Sequence, residues 1–155
     1  SLARSESSIN AKLAGGLPTA CGGLTKHITD TPIIVGEKWP VAKCEAEMGK
    51  AVAKVQAQLL RCFKVTPPQS VFDAATSHAW NVGAASTCAS GAMAAWNRGD
   101  FALGCKRLYQ SDAGRPVWSY VRTGRKNTDG TPQMMFVQGL ANRRKAEMAL
   151  CMGEK

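Results

Sequence analysis

Six cysteines, two histidines and a lone N-terminal glutamate are the side chains with which this chain could do chemistry. Cys21, Cys44, Cys62, Cys88, Cys105 and Cys151 form no C-x-x-C pair, and His27 and His78 are the only histidines. That composition excludes zinc ribbons, zinc fingers and thioredoxin-like redox motifs, so no metal site is expected. An even set of widely spaced cysteines reads instead as three disulfides, which places the chain in an oxidising compartment, periplasmic or extracellular. Sequence alone does not choose among the connectivities. Glu6 is the only carboxylate ahead of Asp30. Asp30 follows His27-Ile28-Thr29 in a segment that reads as a turn, a setting that Asp favours.

Charge points to a polyanionic partner. The 155 residues carry 20 Lys+Arg against 11 Asp+Glu, a formal +9. Residues 98–126 concentrate the excess: Arg98, Lys106, Arg107, Arg115, Arg122, Arg125 and Lys126 stand against Asp100 and Asp112, with Trp118 and Tyr120 interleaved. Such a stretch suits nucleic acid, the anionic cell envelope or sugar stacking, or is simply a solvated basic face. No helix-turn-helix, RRM or OB signature accompanies it, so no nucleic acid is expected. Hydrophobic residues make up 45% and charged residues 20%, which excludes disordered and fibrous classes. No apolar run approaches the ~18 residues of a membrane span. The first ten residues lack the apolar stretch of a secretory signal, so any export signal is expected either to have been removed upstream or never to have been present.

These residues need elements to position them. Residues 1–38 read as a short lead helix over 5–11 carrying Glu6, followed by turns and short strands at Thr19-Ala20-Cys21 and Ile33-Ile34-Val35. After Trp39-Pro40, Val41, Cys44, Met48, Val52, Val55 and Leu59 recur at steps of three and four, one face of a helix, with Glu45, Glu47, Lys50 and Lys54 on its other faces. Pro67-Pro68 breaks the pattern. Helices are then expected over 69–80, stopped at Asn81-Val82-Gly83, over 89–97, over 101–109 capped by Asp100, and over 137–152. Residues 111–136 read as loop, with a turn at Thr128-Asp129-Gly130-Thr131. The fold class is α+β: a small β-containing lobe over 1–38 and a mostly helical lobe over 39–153 within one domain.

Three ordered segments carry a family resemblance. They are Gly16-Leu17-Pro18-Thr19-Ala20-Cys21-Gly22-Gly23-Leu24-Thr25; His78-Ala79-Trp80-Asn81-Val82-Gly83 with Asn97-Arg98-Gly99-Asp100; and Gly139-Leu140-Ala141-Asn142-Arg143-Arg144-Lys145-Ala146-Glu147. In this order the chain resembles the phage-type lysozymes, or endolysins, of glycoside hydrolase family 24, over nearly all of residues 11–153. It is most similar to their disulfide-bearing, exported members, some of which are membrane-tethered before release. The resemblance implies a two-lobed lysozyme fold with a peptidoglycan cleft. It also implies the pairings Cys21–Cys44, Cys62–Cys88 and Cys105–Cys151, a monomer without cofactor, and muramidase activity in bacterial cell-wall lysis.

The family's catalytic pattern is a Glu, an Asp nine residues on and a Thr six residues after that. Thr19 matches the Thr. Counted back without gaps, Leu13 takes the Asp position and Arg4 the Glu position. Shortening the segment by two residues brings Glu6 to the acid position, with an exposed terminal Glu as the competing reading. The resemblance thus implies Glu6 as general acid and Thr19 as the residue placing water. His27, Asp30 and Asn81 are the expected substrate contacts, Asp30 also as a substitute base and Asn81 alternatively as a plain helix stop. A catalytically impaired lysozyme-fold binder of peptidoglycan or of a protein partner is the alternative, favoured by Leu13. His78 reads as a core histidine, Arg143 and Glu147 as a helix-face ion pair, and residues 127–130 as a loop insertion shaping one end of the cleft.

Overall fold

The computed structural model describes residues 6–8, 20–26 and 28–153. Two compact units divide at residues 57 and 58, within the first helix. The class is α+β with a mostly helical body.

In the first unit, strand β1 (Glu6–Ser8) pairs antiparallel with β2 (Lys38–Pro40), Glu6 opposite Pro40 and Ser8 opposite Lys38. Glu6 therefore stands on a strand, not on the expected lead helix. Ser5, Ser7 and Ser8 compete for backbone hydrogen bonds, which weakens a helix there, and residues 6–8 pair with β2 instead. Trp39 anchors β2: it is buried, its Nε1 donates to Glu37 Oε1 at 3.0 Å, and Lys43 Nζ lies 4.2 Å from the ring centroid. Ala20 and Leu24 close a tight turn by reciprocal backbone hydrogen bonds of 2.8 Å. The Cys21–Cys44 disulfide ties that turn to the helix α1 (Val41–Cys62), with Cα atoms 5.8 Å apart. Residues 33–35 form no strand, and Ile34 and Val35 are exposed, with no partner strand among the described residues.

The buried line of α1 runs Cys44, Glu47, Ala51, Val55, Leu59. Glu47 thus belongs to the inner face rather than to the polar faces expected for it. Its burial is matched by donors: Thr29 Oγ1 at 2.9 Å and Thr31 Oγ1 at 2.7 Å, both to Oε1, and Lys50 Nζ at 3.2 Å to Oε2. The Thr31, Thr29 and Lys50 bonds hold its carboxyl below the usual carboxylate range, so it stays ionised. The segment on either side of Asp30 is pinned to α1 in this way.

The second unit holds helices α2 (Gln69–Val82), α3 (Ala84–Cys88), α4 (Gly91–Asn97), α5 (Phe101–Arg107) and α6 (Gln138–Cys151). The helix expected over 89–97 is α4, which begins two residues later because Ser90 caps it: its Oγ accepts from Met93 N at 3.2 Å. The short α3 ahead of it has no counterpart among the expected helices. Asp100 caps α5 as expected, accepting from Leu103 N at 3.2 Å. Phe63 stacks on buried Trp96 at 5.7 Å between centroids. Gly104 lies against the Trp96 indole so closely that a Cβ there would strike the ring. Asn97 closes the end of α1, its Nδ2 donating to the Cys62 carbonyl at 2.9 Å and its Oδ1 accepting from Lys64 N at 2.7 Å. Cys62–Cys88 and Cys105–Cys151 complete the implied pairing, with Cα separations of 5.6 and 5.5 Å.

The stretch expected to be loop contains a β-hairpin, β3 (Tyr120–Lys126) with β4 (Pro132–Phe136). Residues 127–130 belong to its tip. There Asp129 Oδ1 accepts from Thr131 N at 3.0 Å and Thr131 Oγ1 at 2.6 Å, which holds the Asp129 carboxyl below its ordinary range.

Candidate active-site region and the buried network of the helical unit

Of the residues expected to act on substrate, Glu6 is placed by its backbone, opposite Pro40, the residue that precedes α1. Thr19 and His27 lie outside the described residues, as do Leu13 and Arg4. Asp30 is exposed at a bend between Thr29 and Thr31. Those two threonines spend their hydroxyls on Glu47, leaving the intervening Asp30 carboxylate turned to solvent.

Asn81 is exposed near the end of α2, where its Oδ1 accepts from Arg144 Nη1 at 2.8 Å. That bond opens onto a buried network. Arg144 and Glu147 are 0% and 3% exposed. Arg144 Nε lies 2.8 Å from Glu147 Oε1, and Arg144 Nη2 donates to Oε2 at 3.0 Å. Ser77 Oγ adds a 2.6 Å bond to Oε2. The ion pair is therefore Arg144–Glu147, three residues apart, and not Arg143–Glu147. The inner face of α6 is Ala141, Arg144, Glu147 and Cys151, whereas Arg143 faces solvent. Burial pulls the Arg144 guanidinium down from its ordinary value and the Glu147 charge pushes it back; it remains charged. Extending the spacing of Ala141 and Cys151 inward along α6 would have identified this arginine from sequence.

His78 is fully buried, as expected of a core histidine. Its Nδ1 shares a 2.8 Å hydrogen bond with Thr87 Oγ1, and Trp118 meets its ring edge-on at 5.1 Å. Burial, and secondarily the Arg144 charge, push its pKa down to about 3. The folded pKa lies below the unfolded one, so the unfolded chain binds the extra proton between roughly pH 6.5 and 3. This contribution to stability is complete above that window and is lost as pH falls through it, by up to about 1.4 kcal/mol per pH unit. His78→Asn, which keeps a partner for Thr87, is expected to flatten the acid slope of the melting temperature. Identical slopes in the parent and the variant would contradict this.

A cavity of about 390 Å³ opens beside α4 and α5, lined in part by Arg98, Leu103, Arg107, Gln110 and Trp118. Arg107 is engaged by Asp112 at its rim, so the cavity presents mixed rather than free positive charge. Among the described residues no group of three or more His, Cys, Asp or Glu could hold a metal ion.

The profile of the phage lysozyme family matches residues 5–147. The chain belongs to that family. The match begins ahead of Glu6 and ends at Glu147, taking in both β1 and the buried pair of α6. Among individual lysozyme relatives, the SAR-endolysin of Enterobacteria phage P21 is 31% identical over 112 residues, covering 72% of this chain and 66% of that protein's own length. In fold the chain is similar to an endolysin from the Escherichia coli phage FAHEc1, with a TM-score of 0.73 at 23% identity over 94% of this chain and 82% of that one. It is also similar to the muramidase domain of SpmX from Asticaccaulis excentricus, with a TM-score of 0.70 at 18% identity over 96% and 86%. Three disulfides fit the disulfide-bearing members of the lysozyme family.

Proposed function

We propose that the chain is a peptidoglycan muramidase, hydrolysing the β-1,4 bond between N-acetylmuramic acid and N-acetylglucosamine in bacterial cell-wall lysis. The observation carrying this reading is the family match, which spans 143 of 155 residues (5 through 147) and includes the segment holding Glu6. In the proposed chemistry Glu6 protonates the glycosidic oxygen and Thr19 orients the water that attacks the opposite face of the sugar. A general acid of this kind works best with its pKa raised toward the working pH. His27, Asp30 and Asn81 are proposed substrate contacts. For Asn81 the contact would come through its amide nitrogen, since its oxygen is held by Arg144. The basic surface and the paired cysteines favour action at the anionic envelope in the periplasm or outside the cell. No helix among the described residues is long and apolar enough to cross a membrane.

Leu13, at the family's Asp position, favours a second reading, a lysozyme-fold protein that binds glycan or a partner without cutting. Product chemistry separates the two. A muramidase releases fragments whose new reducing ends are N-acetylmuramic acid. Intact glycan after prolonged incubation with well-folded protein would overturn the hydrolytic reading.

A further inference from the structure

The β3–β4 hairpin buries neither of its faces. Tyr120, Arg122, Met134 and Phe136 share one face by register, with Tyr120 and Phe136 rings 5.6 Å apart. Val121 and Met135 share the other, followed by Thr123 and Gln133, whose side chains are hydrogen-bonded at 2.8 Å. Met134 and Met135 are 50% and 53% exposed, and Tyr120, Val121 and Phe136 about two-fifths. Within its unit neither strand packs broadly on a helix. The hairpin is held at its base, where Val137 N donates to the carbonyl of buried Ser119 at 2.8 Å. Toward its tip it carries Arg122, Arg125 and Lys126 against a single carboxylate, Asp129.

Five large apolar side chains left in water on a two-stranded ribbon need an explanation beyond the fold. A glycan site would be concave, with a few convergent polar groups; here the apolar side chains stand on two opposite faces of a ribbon, and Val121, Met134 and Met135 offer a sugar neither concavity nor a hydrogen-bond donor. Pairing with a second copy is disfavoured at both edges: Pro132 lacks an N–H, and the register of β3 is broken between Arg122 and Lys126. An anionic lipid surface suits both features. Apolar and aromatic side chains enter the boundary between headgroups and acyl chains from either face, while flanking arginine and lysine meet the phosphates.

We propose that this hairpin docks the protein on anionic phospholipid bilayers. Docking of this kind is independent of glycan cleavage, and vesicle binding reads it without reference to the enzymatic proposal. The full chain is sedimented with phosphatidylglycerol-containing vesicles and with phosphatidylcholine vesicles, at low and high salt. Binding to the anionic vesicles is expected to weaken about a hundredfold in Arg122→Gln/Arg125→Gln/Lys126→Gln, with roughly a fivefold loss per charge. Binding should likewise fall in Met134→Ser/Met135→Ser, and in the parent at high salt. All five positions are exposed, so both variants should melt with the parent. Failure of the parent to bind, or equal binding by the variants, would overturn the proposal. So would hairpin-dependent binding to purified sacculi without vesicle binding, or hairpin-dependent dimers without it.

Discussion

Arg144→Leu is expected to destabilise the protein by about 3–5 kcal/mol, because it strands a carboxylate in the interior. Glu147 is 3% exposed and accepts from Arg144 Nη2, with Arg144 Nε beside its second oxygen. With the guanidinium gone, Ser77 is left as its donor among the described residues, and Asn81 loses the bond to its oxygen as well. At about 2–4 °C per kcal/mol for a chain of this size, the melting temperature should fall by roughly 10 °C. Replacing both partners, Arg144→Leu with Glu147→Leu, should recover much of the loss, since an apolar pair removes the desolvation cost along with the attraction. Thermal unfolding of the two single variants and the double variant measures the coupling. Additive losses would show that the pair does not act as a unit.

The second large effect is expected from the Cys105–Cys151 disulfide. It joins α5 to α6 across a sequence separation of 46, the longest of the three against 23 and 26. In the chain-entropy account, closing a loop of that length stabilises the folded state by about 4 kcal/mol, against about 3.4 for the shortest. Both sulfurs belong to buried residues, and Ser70 Oγ donates to the Cys151 carbonyl at 3.0 Å, so the bond sits where α2, α5 and α6 converge. Cys105→Ala/Cys151→Ala should therefore lower the denaturation midpoint more than Cys21→Ala/Cys44→Ala. A midpoint unchanged by the first pair would contradict the argument.

The helical body was legible from sequence where burial and local chemistry agreed. The three-and-four spacing through Cys44, Val55 and Leu59 marked α1, Asp100 announced α5, and Pro67-Pro68 separated α1 from α2. The burial of Glu47 is not readable from its type, because the threonines at 29 and 31 that help make it tolerable are distant in sequence. The i,i+4 spacing that points to Arg143 holds for exposed helix faces, whereas Glu147 pairs with Arg144 on the buried face. The hairpin has no sequence signature because neither strand has a buried face to set a period, and Gly124, at φ +88°, interrupts the ladder. For the candidate site, the resemblance supplied positions and roles, and Glu6 is placed beside Pro40 by backbone pairing.

If Glu6 is the acid of a muramidase, removing its proton abolishes cleavage without disturbing the fold. The parent chain and Glu6→Gln are assayed side by side for muralytic activity and reducing-end release on Gram-negative cells stripped of their outer membrane. Glutamine keeps the shape of the side chain and cannot donate the proton, so a loss of at least about a hundredfold is expected, with melting temperature unchanged. Equal activity in the two proteins would contradict the account and place the acid elsewhere in the chain.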